Sequence, residues 1–435
     1  MTLRSPAFLL LFSVSLIAAA GNMALQAVLP LIGRAFALSD TLVSGAFAIS
    51  ALLWTLSSPT WARLSDRLGR KRVILIGLGG FVASMAAFGL AATSGLEGWL
   101  AAGVAFTLMA VARAIYGLFG SAAPIASQAY VADRTSRAAR TRALSTLASA
   151  QGLGTVLGPA LAPLFILPFV GLAGPLYAFA ALGAIVLGLV WRLLPSGGVE
   201  RQPATAAATH KGLWKDPRLR DFLLYGLLLT GAQAVNIGVI GFHVIDELAA
   251  EGLGLDAAQP FIGLALFAGA AMTLMVQWGL IPLLRLEPRA MMRWGAGLAL
   301  VGNGVSALAT DYHGVVVGYA LLSMGMGFAR PGFTAGASLA TRPDEQGTVA
   351  GLIMALAGLS FLAPPVIGVA LYEWTAPAPF WLNLVLIGAA LALCFLSAAL
   401  KGGGGDPGRA PAQPASTPGP EGATVGPPSP GRKAV

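Results

Sequence analysis

Three ionisable residues lie within one helical turn of each other near the end of an apolar stretch: His243, Asp246 and Glu247. Spacings of three and four residues place side chains on one face of an α-helix. Such a group suits the sharing of a proton between an imidazole and a carboxylate. A hydrated helix end is the simpler alternative, and a metal site is the least favoured. We treat His243 and Asp246 as candidates for proton coupling.

Two arginines lie deep inside other apolar stretches, Arg113 in one and Arg330, next to Pro331, in another. A charged side chain in such a place costs on the order of 3 kcal/mol, so it should face the protein interior or a wet cavity. No Asp or Glu falls at the middle of an apolar stretch. The interior potential is therefore positive, which favours an anionic, zwitterionic or neutral polar solute. The alternative role for both arginines is hydrogen bonding to carbonyls of neighbouring helices.

Four amides lie about halfway along two further apolar stretches: Asn22 and Gln26, then Gln233 and Asn236. An unpaired amide away from water costs free energy, so each needs a neighbouring helix or a bound solute as its partner. The predicted lining of a substrate cavity is therefore Asn22, Gln26, Arg113, Tyr116, Gln233, Asn236 and Arg330.

The composition places the chain in a lipid bilayer, since 56% of its 435 residues are hydrophobic and 10% are charged. Mean hydropathy is +0.77, beyond what the surface of a soluble domain tolerates. A single cysteine, Cys394, excludes an internal disulfide, and no Cys/His spacing indicates a metal site or cofactor. The first apolar run continues to Ile32, which favours a spanning helix over a cleavable signal.

Twelve apolar runs are long enough to cross a membrane. They cover about residues 6–33, 41–62, 73–93, 99–128, 142–167, 174–194, 221–245, 259–283, 291–309, 314–338, 346–371 and 379–400. Backbone groups in lipid must be satisfied within each segment, so the predicted fold is an all-α membrane protein with twelve transmembrane helices.

The distribution of Lys and Arg predicts the orientation, because cytoplasmic loops hold an excess of both. With the N-terminus inside, 24 of the 27 basic residues fall on the cytoplasmic side, Arg113 and Arg330 fall within spans, and Arg34 falls outside. Both termini are then cytoplasmic in a multi-pass protein of the plasma (inner) membrane. The net charge of +9 is a topology signal, and nucleic-acid binding is not expected.

The chain divides into two halves that repeat each other. An offset of about 214 to 221 residues relates three pairs: Asn22 and Asn236, Arg113 and Arg330, Asp66 and Glu287. Two pseudo-symmetric six-helix bundles are a layout of secondary transporters, with the substrate site at their interface. The predicted divisions are an N-terminal bundle at 1–195, a cytoplasmic linker at 196–220, a C-terminal bundle at 221–400 and a disordered cytoplasmic tail at 401–435.

A cluster of charged residues follows the second span, from Arg63 to Arg72, and Ala62 precedes it. It resembles the loop signature of the major facilitator superfamily, in which Ala62 replaces a usual glycine. The resemblance extends over about residues 6–400 and implies a conformational gate on the cytoplasmic face. Its predicted residues are Asp66, Arg67, Gly69, Arg70 and Glu287.

A second resemblance narrows the class to the twelve-span drug or metabolite:proton antiporters. Span five contains Gly154, Gly158 and Pro159, similar to the antiporter glycine–proline element, although Ala162 and Pro163 replace its last glycines. Glycines four residues apart admit a neighbouring helix, and proline bends its helix; a simple membrane-helix kink is the alternative. Span eleven carries the counterpart, Pro364 and Pro365.

The surroundings of Arg113 resemble the Arg-x-x-x-Gly element of span four of the superfamily, which implies a part in proton coupling, with Tyr116 where Gln is frequent. We expect a monomeric secondary active transporter without enzymatic activity, coupled to protons, that exports a small polar, anionic or amphipathic drug, siderophore or metabolite. An importer or uniporter of a small organic anion is the alternative, and a membrane-embedded enzyme or scaffold is a remote one. No nucleotide-binding loop is found.

Overall fold

The computed structural model describes residues 3, 5–196, 215–342, 345–397 and 400. This part of the chain folds as a bundle of α-helices. The predicted linker at 196–220 lies mostly outside the described residues, and the predicted tail at 401–435 lies wholly outside them.

The first half of the described chain holds seven α-helices: α1 (Pro6–Ala35), α2 (Asp40–Leu68), α3 (Arg70–Leu96), α4 (Ala102–Phe119), α5 (Ala122–Arg134), α6 (Arg137–Leu161) and α7 (Gly174–Leu193). α4 and α5 follow one another closely and make one span. Short 3-10 turns at Ala162–Phe165 and Gly171–Ala173 connect α6 to α7.

The second half follows with α8 (Pro217–Ala250), α9 (Ala258–Leu274), α10 (Ile281–Leu284), α11 (Pro288–Leu308), α12 (Tyr312–Leu339), α13 (Gln346–Ser360), α14 (Pro364–Trp374) and α15 (Ala378–Leu396). A π-helix at Met275–Leu280 joins α9 to α10, so that they form one span. α13 and α14 form the eleventh span, which is broken at 361–363 just before Pro364.

Ten helical segments of the described chain are long and apolar enough to cross a membrane. α6 and α11 bring the number of spans to twelve, which confirms the all-α fold. Both are less apolar because their first turns carry arginines, among them Arg140 in α6 and Arg289 in α11. Arginines at a helix end extend toward the interface and do not prevent insertion.

A residue with positive φ follows the second span in each half. After α2 it is Gly69, whose φ of 89° glycine adopts without a Cβ to clash. After α10 it is Arg285, which adopts a φ of 47°. The two turns differ in ψ, at 146° and 42°, and only Gly69 leads directly into the next helix.

Close helix crossings also repeat between the halves. A Cβ on Gly77 of α3 would lie 2.3 Å from the backbone nitrogen of Ala123 in α5, so spans three and four touch through their backbones. A Cβ on Gly302 of α11 would lie 2.4 Å from the backbone nitrogen of Leu322 in α12. Spans nine and ten thus cross as spans three and four do.

Each half has its own hydrophobic core, and the two cores join at one end of the bundle. Ala27 and Leu31 of α1 belong to the core of the second half, while Val239 and Phe242 of α8 belong to the core of the first. These residues lie toward Arg34 at the end of α1. We call this end the Arg34 end, and the opposite end, where α2 finishes, the Asp66 end.

Exposed tryptophans mark both ends of the bundle. Trp99 and Trp374 lie at the Arg34 end with exposed fractions of 74% and 80%. Trp191 and Trp294 lie near the Asp66 end with exposed fractions of 63% and 62%. Tryptophan is enriched at the two membrane–water interfaces. With the apolar helices between them, these belts describe a multi-span membrane protein.

Candidate functional site

Arg113 is buried in the middle of the first half, with an exposed fraction of 4%. Its Nη2 donates a hydrogen bond to Oδ1 of Asn22 on α1, 2.5 Å away. The guanidinium carbon lies 4.6 Å from the ring centre of Phe47 and 4.7 Å from that of Tyr116. The charge is thus held by one amide and two aromatic rings. Three of the predicted cavity residues, Asn22, Arg113 and Tyr116, are therefore in contact.

Part of the hydrogen-bonding capacity of this group is unused. Within the described part of the chain, Nε and Nη1 of Arg113 are buried without a partner, and so is Oε1 of Gln26. A buried unsatisfied donor costs about 1–3 kcal/mol, and more when it is charged. These free N–H groups suit a strong acceptor such as a carboxylate oxygen.

Close packing of α4 on α2 positions the aromatic wall around Arg113. A Cβ on Gly117 would lie 2.6 Å from the carbonyl oxygen of Ser50, so only glycine lets the two helices approach this far. The approach places Trp54 of α2 against Tyr116, with ring centres 5.4 Å apart. Tyr116 is only 7% exposed, so it shields the guanidinium from bulk lipid and water.

The corresponding place in the second half holds asparagines instead of an arginine–asparagine pair. Asn236 donates from Nδ2 to Oδ1 of Asn303 on α11, 3.1 Å away, and to the carbonyl oxygen of Ala232. Asn383 on α15 donates to the same carbonyl at 3.2 Å. Asn303 and Asn383 were not predicted from the sequence, although both are amides inside apolar runs, which was the available signal. Asn236 is therefore engaged between helices.

Arg330 lies on the inner face of α12. Its side chain is exposed. Leu339, which is also exposed, lies nine residues later, so at 100° per residue the two side chains point to opposite sides of α12. An exposed group opposite the lipid-facing residues adjoins open space inside the bundle. Gln233 on α8 is half-buried. The described contacts do not join Arg330 to Asn236, the residues that the repeat relates to Arg113 and Asn22.

An ion network that the sequence did not predict links the halves at the Arg34 end. Arg34 of α1 pairs with Asp40 of α2 at 2.6 Å and with Asp246 of α8 at 2.9 Å. The hydroxyl of Tyr372 on α14 donates to Oδ2 of Asp246 at 2.8 Å. Nearby, the hydroxyl of Thr41 donates to Glu373 at 2.5 Å. Arg34 was noted only as the basic residue on the acidic side.

His243 joins this network from the protein interior. It is 3% exposed, and its Nδ1 lies 3.3 Å from the hydroxyl of Tyr372 and 3.8 Å from Oε1 of Glu247. The ring of Phe380 covers it with a centre-to-centre distance of 5.1 Å. The structure thus brings His243, Asp246 and Glu247 together in a group connected to Arg34, with His243 buried and the two carboxylates partly exposed.

At the Asp66 end, the predicted gate residues pair within their own half. Arg70 contacts Oδ1 of Asp66 at 2.7 Å and Oδ2 of Asp133 at 2.9 Å. Arg67 is exposed. Glu287 is also exposed and lies outside the helices, where it caps the start of α11. Asp66 instead belongs to the last turn of α2. Asp66 therefore precedes the turn after its span, whereas Glu287 follows the turn after its span.

Another ion pair lies at the Asp66 end of the second half. Arg218 donates to Asp216 at 2.6 Å and to Glu345 at 3.2 Å. The side-chain hydrogen bond from Arg218 holds the pKa of Asp216 below its usual value. The backbone N–H of Arg342 is the main cause that lowers the pKa of Glu345. Both carboxylates are therefore charged at neutral pH.

The glycine–proline helices meet different partners. A Cβ on Gly154 or Gly158 would lie 2.5 Å or 2.2 Å from carbonyl oxygens of α1, so these glycines seat α6 against α1 within the first half. The carbonyl of Pro159 instead faces Gly263 of α9, in the other half. In span eleven, Pro364 begins α14 after the break and Pro365 packs against Gly238 of α8. One partner of each helix is thus the first span of its half.

The sequence matches the Major Facilitator Superfamily over residues 11–363. It is 27% identical to the tetracycline resistance protein, class C, of Escherichia coli, over 86% of this chain and 91% of that one. Multidrug resistance protein 2 of Bacillus subtilis (strain 168) is 25% identical over 77% of this chain and 80% of its own.

Solved structures show the same fold. The D-xylose-proton symporter aligns with a TM-score of 0.66 and 15% identity, over 88% of this chain and 97% of its own. A bacterial homologue of the human lysosomal transporter Spinster, in an inward-facing and occupied conformation, aligns with a TM-score of 0.66 and 12% identity, over 91% and 96%. The chain belongs to the Major Facilitator Superfamily, whose members are transporters and not enzymes.

Proposed function

We propose that this protein is a proton-coupled exporter of a small polar solute that carries a carboxylate or a similar acceptor group. One observation carries this proposal. The buried guanidinium of Arg113 keeps two N–H groups without a partner in the described chain, next to Asn22 and the unpartnered amide oxygen of Gln26. The unpartnered N–H groups of such a site are satisfied only when a hydrogen-bond acceptor is bound there.

The charge of the interior favours an anionic or zwitterionic solute over a lipophilic cation. Arg113 and Arg330 both lie along the inner faces of their spans, while the carboxylates of the described spans lie toward helix ends, as Asp66 and Asp246 do. A cation in the middle of the bundle would meet two guanidinium groups without a carboxylate to balance it. Solutes that gain bidentate hydrogen bonds from Arg113 should bind best.

The arrangement of contacts supports alternating access. The halves join at the Arg34 end through Arg34, Asp246 and the shared cores, whereas Arg70 at the Asp66 end pairs with residues of its own half. With Lys and Arg concentrated at the Asp66 end, we assign that end to the cytoplasm. The protein then lies in the inner membrane as a monomer, with both termini cytoplasmic and its outer side closed.

Efflux is the direction that the relatives favour. Relatives aligned over most of their length are named for resistance to tetracycline or to several drugs. A pH gradient would drive such export if protons enter through the same cycle that releases solute outside. The alternative on this fold is uptake of a small organic anion.

Flux measurements in proteoliposomes test the proposal. Purified protein is reconstituted, a pH gradient is imposed, and accumulation is followed for a panel of anionic, zwitterionic, neutral and cationic solutes. We expect movement of a carboxylate-bearing solute against the direction of proton flow. Movement of solute and protons in the same direction would support uptake instead, and transport of cations alone would contradict the assigned substrate class.

Variants of Arg113 sharpen this test. Arg113→Ala should abolish gradient-driven flux, and Arg113→Lys should retain only a small part, because lysine keeps the charge and loses the bidentate geometry. Arg192→Ala, at an exposed end of α7, serves as the matched control and should transport normally. Equal flux in wild type and Arg113→Ala would refute the role of Arg113.

A further inference from the structure

Hydrogen bonding at the Arg34 end determines where His243 carries its proton. The hydroxyl of Tyr372 has one hydrogen, which it donates to Oδ2 of Asp246 at 2.8 Å. Toward His243 it can therefore only accept a hydrogen bond. Nδ1 of His243, 3.3 Å from that hydroxyl, must then carry the hydrogen. The other ring nitrogen, Nε2, is left with its lone pair.

That lone pair has no partner in the described part of the chain, although the atom is buried. His243 and Glu247 line a cavity of about 370 Å³ together with Ser306, Thr310 and Phe380. The remaining lining comes from the segment before α12 and the segment before α15, both at the Arg34 end. The volume is ample for several water molecules, so a proton donor can lie beside the buried ring of His243.

The charges around His243 are mostly negative. Asp246 and Glu247 lie on its own helix, and Glu251 and Asp311 act on Glu247. Tyr372 and Phe380 contact the ring from α14 and α15, and the backbone of Ser306 on α11 faces it. Arg34 and Asp40 lie across the interface, and Glu373 of α14 acts on Asp40 from the same half as His243. These residues include six carboxylates and one guanidinium.

We propose that Nε2 of His243 is a proton-binding site that controls the ion pair between Arg34 and Asp246, and thereby opens the Arg34 end. The proposal deepens the proposed function and rests on its alternating-access cycle. A proton arriving through the cavity forms an imidazolium, and no other bond has to break. The imidazolium competes with Arg34 for Asp246, directly and through the hydroxyl of Tyr372.

The contacts that close the Arg34 end should therefore weaken as the pH falls. Arg34 and Asp246 are about one-third exposed, at 32% and 38% of their side chains, so their pair is screened and contributes modestly. A loss of this size shifts a two-state equilibrium about fivefold. Because the shift requires protonation of His243, it should appear on acidification.

Distance measurements between the halves test the proposal without depending on transport. In a Cys394→Ser background, spin labels replace Leu42 at the start of α2 and Leu253 after α8, both exposed at the Arg34 end. Distance distributions are recorded in nanodiscs from pH 8 to pH 4. We expect the fraction with long distances to rise about fivefold on acidification. His243→Gln should abolish this rise.

Two further variants keep the test decisive. His313→Gln, at an exposed position of the same end where the ring contacts Tyr312, should keep the wild-type response. Tyr372→Phe retains His243 and removes the relay, so it should reduce the rise if His243→Gln fails to fold. A wild-type response in His243→Gln or Tyr372→Phe would overturn the proposal, as would loss of the response in His313→Gln.

Flux separates this proposal from the proposed function. If wild-type protein transports under a pH gradient and its distances do not respond to pH, the proton site is wrong and the exporter assignment stands. If the distances respond and no solute moves, the exporter assignment fails and the proton-controlled opening stands.

Discussion

Replacement of Gly158 by alanine probes how the helix scaffold positions the site. The new Cβ would lie 2.2 Å from the carbonyl oxygen of Ala20 on α1, whereas ordinary contacts begin at 3.4 Å. The obstacle is backbone, so α1 and α6 must separate by roughly 1 Å. Overpacking of this kind costs about 1–3 kcal/mol. The displacement occurs two residues before Asn22, whose 2.5 Å bond to Arg113 would lengthen.

Two assays follow from this estimate. Thermal unfolding in detergent, monitored by tryptophan fluorescence, should show a midpoint several degrees lower for Gly158→Ala, at about 2–4 °C per kcal/mol. Flux in proteoliposomes should fall on the order of tenfold to a hundredfold because a 1 Å displacement disturbs the binding geometry. Gly188→Ala is the control, since a Cβ there meets no atom within 4 Å. Wild-type stability and flux in Gly158→Ala would refute the reasoning.

Three further predictions test other parts of the account. Asp66→Asn should reduce flux without changing the amount of protein inserted in the membrane, because its ion pair biases two states by at most about 1 kcal/mol; unchanged flux contradicts the gate. Asn303→Leu should lower the unfolding free energy by about 1–3 kcal/mol, since Asn236 loses its side-chain acceptor and keeps only the carbonyl oxygen of Ala232. An unaltered denaturation curve would exclude the bond between the two asparagines as a stabiliser. Arg218→Ala should destabilise the folded protein by less than about 1 kcal/mol above pH ~4, because Arg218 lowers the pKa of Asp216. The difference in unfolding free energy from wild type should vanish as the pH falls through that lowered pKa. A difference that grows in acid would contradict this prediction.

Sequence reasoning found most of the fold because each span is a long apolar run, and helices are the form in which such runs can cross lipid. It also predicted the neighbourhood of Arg113, since a guanidinium in an apolar helix needs polar company and Asn22 was available. The helices extend beyond the apolar runs, as α5 does to Arg134, because charged residues at helix ends reach into the interface.

The rest depends on contacts that span the whole chain. Arg34 and Asp246 are 212 residues apart, and only the packing of the halves brings them together. In the sequence, Tyr372 near a helix end has the position of an ordinary interfacial tyrosine. Only the structure shows that its hydroxyl donates a hydrogen bond to Asp246. The repeat related Asn236 to Asn22, yet the partner of Asn236 is Asn303 on α11 and not Arg330 on α12.

The central claim is that two six-helix halves pivot so that one end opens as the other closes. Spin-label pairs test it at both ends: Leu42 with Leu253 at the Arg34 end, and Leu68 with Leu284 at the Asp66 end, all exposed. Across conditions that turn the cycle, we predict that the first distance lengthens whenever the second shortens. Distances that stay fixed at both ends while solute is transported, or that lengthen together, would contradict the account.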